Sequence, residues 1–105
     1  MWAQMITATL KPGRDADLTK LIEQLEAAEQ PGSGLVRSSV MRDQSDPSRV
    51  HFLVVFESEE KARARESDPR RVEGMAVARA TMADLLDGAP EFVDLTVLRE
   101  IHDHD

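Results

Sequence analysis

The stretch Val50-His51-Phe52-Leu53-Val54-Val55-Phe56 carries large apolar side chains at both parities. As a strand it places Val50, Phe52, Val54 and Phe56 on one face and His51, Leu53 and Val55 on the other. An antiparallel strand ordinarily shows water one polar face, so this one needs cover on both sides. Alternation recurs three times more. Residues 2–10 read as a strand with Trp2, Gln4, Ile6, Ala8 and Leu10 on one side and Ala3, Met5, Thr7 and Thr9 on the other. Lys11-Pro12-Gly13 ends it, because proline cannot donate to a ladder and glycine tolerates the turn. Leu35 to Arg42 forms a strand that pairs with the Val50 segment through a turn at residues 43–48. Phe92 to Ile101 closes the chain as a strand, with Val93, Leu95, Val97 and Ile101 together on one face.

Between these segments the period changes. From about Asp15, Leu18, Leu21, Ile22, Leu25 and Ala28 recur at the spacing of one helical face, and Asp15 and Asp17 suit the positive end of the helix dipole. Gln30-Pro31-Gly32-Ser33-Gly34 reads as a helix exit and loop. Ser58 is placed to cap a short polar helix, Glu59 to Glu66, which has no apolar stripe. Asp68-Pro69 starts a longer helix, a cap followed by proline at the first helical position. Val72, Met75, Arg79, Met82 and Leu86 share one of its faces, widened by Ala78 and Leu85. Gly88 fits the left-handed position past the helix end, and Pro90 blocks continuation. The order strand, helix, strand, strand, helix, strand predicts an α+β, ferredoxin-like fold, a four-stranded antiparallel sheet with its helices on one face. The other face then exposes apolar surface on the order of several hundred Å², more than a monomer normally shows water. A second copy packed across a two-fold axis covers it, so a homodimer through the sheet face is expected.

Composition narrows the function classes. A chain of 105 residues fits one domain, 1–105, around a single core. Thirteen bases against twenty acids give a net charge of −7, and the end from Asp84 to Asp105 holds seven acids against Arg99 alone. Nucleic acid and anionic membranes both require a basic footprint, so neither is an expected partner. There is no cysteine, which removes thiolate nucleophiles and sulfur-ligated metals. The first residues lack the pattern of a signal peptide and no stretch reaches membrane-spanning length, so a cytoplasmic location is expected. Glycine-rich nucleotide loops, a nucleophile elbow and HExxH are absent. His102-Asp103-His104-Asp105 alternates ligand types without an enforced geometry and reads as a solvated tail. Glu57 to Glu73 mixes six acids with five bases and reads as a solvated helical face with pairs such as Glu57 and Lys61.

The stretch "GLVRSSVMRDQSDPSRVHFLVVFESEEKARARESDP", with the opening strand that ends in Lys11-Pro12-Gly13, resembles the antibiotic biosynthesis monooxygenase family of the dimeric α+β barrel superfamily. The resemblance includes the junction Phe56-Glu57-Ser58-Glu59-Glu60-Lys61-Ala62, and it implies the same fold and dimer. It does not fix an activity, because the superfamily includes cofactor-free quinone-forming monooxygenases, haem-degrading enzymes, isomerases and members without known activity. Haem-degrading relatives carry an asparagine on the first strand, a tryptophan where this chain has Phe56, and a histidine on the following helix. This chain has no asparagine, and Glu66 stands about where that histidine would be sought. The quinone-forming enzymes use tryptophan, asparagine, tyrosine and arginine, and tyrosine is also missing here. Trp2, Gln4, His51 and the arginines remain.

His51, on the face assigned to the barrel interior, is the candidate base, since histidine changes charge near neutral pH; its alternative role is a structural hydrogen bond near a strand end. Arg79, on the apolar stripe, is the candidate anion holder, with Arg37 in the same part; an internal ion pair or a snorkelling side chain is the alternative for both. Trp2, Phe52, Phe56, Met75 and Met82 would line a cleft between sheet and helices, or simply fill the core. Two functions follow. One is a monooxygenase acting without metal, flavin or other cofactor on a small aromatic or quinol-type substrate. The other is a non-catalytic dimer that binds a small apolar ligand or serves as a structural accessory.

Overall fold

The computed structural model describes residues 1–102. Its elements are β1 (Trp2–Thr9), α1 (Asp15–Ala28), β2 (Leu35–Arg42), β3 (Arg49–Phe56), α2 (Glu59–Glu66), α3 (Pro69–Leu85) and β4 (Glu91–Thr96). The strands form one antiparallel sheet in the order β2-β3-β1-β4. This is the ferredoxin-like arrangement, with the second helical segment divided into α2 and α3.

The helix starts follow their capping chemistry. The Ser58 hydroxyl accepts from the Lys61 amide at 3.1 Å to open α2, and the Asp68 carboxylate accepts from the Arg70 amide at 2.9 Å to open α3 behind Pro69. Each satisfies a donor that the helix itself leaves orphaned. α1 and α3 approach each other closely at Gly74, where a Cβ would stand 3.1 Å from the Ala28 Cβ. Leu18, Leu21 and Ala28 of α1 and Met75, Ala78 and Leu85 of α3 bury themselves against Ala8, Leu10, Val50 and Phe52 of the sheet. A smaller cluster of Trp2, Phe56 and Ala62 joins α2 to the other end of the sheet. These residues define a helix side. The opposite parity, which includes Ala3, Met5, Thr7, His51, Leu53, Val55, Val93 and Leu95, makes an outer face.

Two expectations need correction. The stripe of α3 is rotated toward Met75, Ala78 and Leu85, which are buried as expected, whereas Val72 and Arg79, expected on the same face, are exposed. The close approach at Gly74 is the reason, since it brings the small side chains inward. The closing strand is also shorter than its alternation implies and stops at Thr96. The Val97 amide still donates to the Met1 carbonyl at 3.2 Å. The chain then leaves the edge strand β4 and crosses the outer face as far as β2, where Glu100 lies 3.7 Å from Arg37. Ala3 and Val55 beneath this crossing are buried, at 3% and 2% exposure.

No helix among the described residues is long and apolar enough to cross a membrane. Leu85 is fully enclosed, so Leu85→Ala is expected to lower unfolding free energy by about 2–5 kcal/mol. Val77→Ala on the exposed side of the same helix should stay within about 0.5 kcal/mol; urea titration of both variants checks the rotated stripe.

Candidate functional site

The sheet register sets Thr7 of β1 directly across from His51 of β3. Both point to the outer face, and Thr7 Oγ1 lies 3.0 Å from His51 Nδ1. The other ring nitrogen, Nε2, lies 3.3 Å from Asp43 Oδ2 at the start of the β2–β3 turn. Asp43 is fixed in its turn through Oδ1, which accepts from the Ser45 amide at 2.9 Å, the Ser45 hydroxyl at 2.7 Å and the Asp46 amide at 3.3 Å. Those Ser45 bonds, with a contribution from His51, hold the Asp43 carboxyl well below the usual carboxylate range. A carboxylate that stays ionised beside Nε2 favours the tautomer with its proton there. Nδ1 is then left as an acceptor facing the Thr7 hydroxyl. The half-buried ring is thus oriented from both sides.

On the same face, toward the Trp2 end of the sheet, lies an open concavity of about 440 Å³. Leu53, Val55 and Leu95 line it from the strands, and Arg99 and Ile101 from the crossing segment; Arg37 of β2 also borders it. His51 precedes Leu53 by one alternation on β3, a separation along the strand of roughly 7 Å. Arg37 and His51 therefore share a face, with an apolar surface beside them. Arg79 does not join them, because α3 covers the opposite side of the sheet and Arg79 is exposed on it.

The expected cleft between sheet and helices resolves into packed side chains. Trp2 and Phe56 meet at a ring separation of 6.1 Å, with the Arg63 guanidinium 5.1 Å from the Trp2 ring and that of Arg65 5.0 Å from the Phe56 ring. Phe52 and Met75 are buried in the larger cluster and Met82 packs against it. Gln4 donates to Asp94 at 2.9 Å. None of Trp2, Gln4, Phe52, Phe56, Met75 and Met82 lines the outer-face concavity, or a smaller one where the α1–β2 loop meets α2 and α3.

Thr7, Asp43 and Arg99 are the participants that sequence reasoning missed. Asp43 had a usable signal, since Asp-Gln-Ser-Asp is turn chemistry directly before a histidine-bearing strand. Thr7 had none until the register was known. No group of three or more histidine or acidic side chains suited to a metal ion occurs among the described residues. Asp103, His104 and Asp105 of the His-Asp tail lie outside the described residues, and His102 Nε2 is 3.4 Å from Glu100.

A model of the antibiotic biosynthesis monooxygenase family matches residues 1–76, and the chain belongs to that family. No curated protein matches it in sequence. Among solved structures it is similar to a Nitrosomonas europaea protein provisionally assigned as an antibiotic biosynthesis monooxygenase, with a TM-score of 0.75, 17% identity, and coverage of 94% of this chain and 100% of that one. It is also similar to a variant of SnoaB, a cofactor-independent oxygenase from Streptomyces nogalater, with a TM-score of 0.72, 16% identity and 97% of each chain covered. Rv0793 from Mycobacterium tuberculosis gives a TM-score of 0.73 at 14% identity, over 96% of this chain and 98% of that one. At these identities the likeness carries the fold.

Asp43 is ionised more readily in the folded chain than in the unfolded one, so its contribution to stability is present above the unfolded carboxylate pKa of about 3.9. That contribution is lost as pH falls through the depressed folded value. The stability gap between the wild type and Asp43→Asn should therefore be full near pH 7 and shrink steadily below about pH 4, as thermal melts across that range would reveal.

Proposed function

We propose that this protein is a cofactor-independent monooxygenase for a small aromatic or quinol-type substrate. The observation that carries the reading is His51 held between Thr7 and Asp43 on the same sheet face as a concavity that combines Leu53, Val55 and Leu95 with the charged groups of Arg37 and Arg99. His51 Nδ1 takes the phenolic proton, which requires the Thr7 hydroxyl to turn away. Arg37 is set across from Val55, roughly 13 Å along the sheet from His51, so its exposed guanidinium, whose contact with Glu100 is long at 3.7 Å, meets the far end of the substrate and stabilises the charge that delocalises there. The electron-rich ring carbon passes one electron to dioxygen, and the two radicals combine into a C–O bond. His51 returns its proton to the peroxide, and loss of water from the resulting hydroperoxide, with the hydrogen on the same ring carbon, breaks the O–O bond and leaves a carbonyl. In sum, the substrate gives up two hydrogens and gains one oxygen atom, dioxygen being reduced to that oxygen and one water. The chain supplies the base and the cation.

The same reading makes the protein a homodimer through the outer face, where Val93, Leu95 and Met41 are exposed and Leu98 and Ile101 project from the crossing segment at 94% and 87% exposure. A partner sheet over this face would close the concavity and desolvate the base. A non-catalytic role, holding a small apolar ligand on this face without converting it, is favoured by one observation: Trp2, Phe52, Phe56 and Met75 are core residues and line no cleft between sheet and helices.

Oxygen uptake with a panel of dihydroxy-aromatics is expected for the wild type and should fall by about 10²–10⁴-fold in His51→Ala. Uptake by neither protein, with an unmodified ligand recovered by native mass spectrometry, would replace catalysis with binding. Sedimentation velocity at micromolar concentration should give a dimer, and Leu95→Arg, which sets a charge in the apolar face, should shift it toward a folded monomer. A wild-type monomer at that concentration would remove the proposed interface.

A further inference from the structure

A second concavity, of about 190 Å³, lies on the helix side, where the α1–β2 loop from Gln30 to Ser33 faces the junction of α2 and α3. The charged residues around it are Lys61, Arg65, Arg70 and Arg71 against the single carboxylate Asp68. With the carboxylates that pair them counted, these side chains leave an excess of one positive charge in a chain whose net charge is −7. Three of the four are already answered. Lys61 pairs with Glu57, Arg65 holds Glu29 through two nitrogens with contacts of 2.6 to 3.1 Å, and Arg70 lies 2.9 Å from Asp68.

Arg71 is different. Among the described residues no carboxylate comes within ion-pair distance of it, and its enclosed Nε has no hydrogen-bond partner. Burial, reinforced by the positive charge of Arg65, pulls the Arg71 pKa down against the more distant fields of Glu29 and Glu66. The acid next door is not available: burial alone would raise Glu29, yet the bonds from Arg65 and Ser33 hold it below the usual range and commit it there.

We propose that this pocket binds a compact phosphate-type oxyanion, with Arg71 as the cation that the ligand neutralises. Size and shape support that class. At about 190 Å³ the space has room for a tetrahedral anion together with ordered water. The planar fork of an arginine matches phosphate oxygens two at a time. The walls are held in place by Gly34, whose φ is +82° and whose carbonyl accepts from the Glu57 amide at 2.9 Å. A Cβ at Gly34 would stand 2.7 Å from Lys61 Cδ, so the loop seats directly against α2. The site is on the other side of the sheet from His51, and the proposal stands independently of the oxygenase reading.

Isothermal titration of the wild type with inorganic phosphate, at constant ionic strength set by chloride, should give a saturable one-site isotherm. Arg71→Gln should weaken it about tenfold or more, as the loss of a charged hydrogen-bond donor does, and Arg71→Lys should recover part of the loss. Arg42→Gln, far from the pocket, should leave it unchanged. Thermal melts accompany each variant. Should Arg71→Gln prove unfolded, Arg70→Gln at the exposed lip is expected to weaken binding several-fold in a folded protein. Competition by glycerol phosphate would assign the site to phosphomonoesters, and its absence to the free anion. Linear, non-saturating heats up to roughly 50 mM phosphate, or equal weakening by Arg42→Gln, would overturn the proposal.

Discussion

The central strands β1 and β3 are apolar on both faces, and the rest of the structure is organised by the need to keep both from water. On the helix side, α1 and α3 meet that need together: Val50 and Phe52 sit under side chains from both helices. On the outer side the chain covers only part of the sheet, by turning back after β4 and crossing over Ala3 and Val55. Burial of apolar area is worth roughly 25 cal/mol per Å², which gives the crossing segment a reason to lie there despite its own acidic and basic residues. Beyond its reach the face stays open, and the polar groups that could do chemistry are gathered along that boundary.

This division explains why the helix side does not supply a cleft. α2 is a polar helix in which Ala62 alone is buried, so it cannot dock by an apolar stripe. It docks instead by laying the guanidinium groups of Arg63 and Arg65 over the Trp2 and Phe56 rings, contacts worth about 0.5–1 kcal/mol each where exposed. Those contacts close the Trp2 end of the sheet and leave no space between the rings and α2 for an aromatic ligand. They also place Arg65 where it holds Glu29 and leaves Arg71 as the unmatched charge. Both candidate sites thus follow from how each end of the sheet is covered.

Much of this was legible in the chain. Ser58 and Asp68-Pro69 announce the starts of α2 and α3, because orphan amides at a helix start select a small set of side chains. β2 matches its expected span, and the family resemblance agrees with the matched family. What failed did so where burial depends on small residues or on distant partners. Gly74 lets α3 approach α1 closely at Ala28, yet a glycine adds nothing to an apolar pattern, so Arg79 looked inward when it is not. The alternation through Val93, Leu95 and Val97 continues past the last paired residue, since nothing local distinguishes a strand from a segment crossing a sheet. His51 was readable as a candidate base. Its orientation by Thr7 and Asp43 was not, because it depends on a pairing between residues 44 positions apart.

Trp2 is the only tryptophan in the chain, and its position gives it a second use. The indole is bracketed by Phe56 and Thr96 in the neighbouring strands and roofed by Arg63. Ultraviolet emission from this protein consequently originates at one address, where the amino-terminal strand, the edge strand and α2 converge. A change in its wavelength or quenching reports the loosening of that corner alone, without labels and without interference from other indoles.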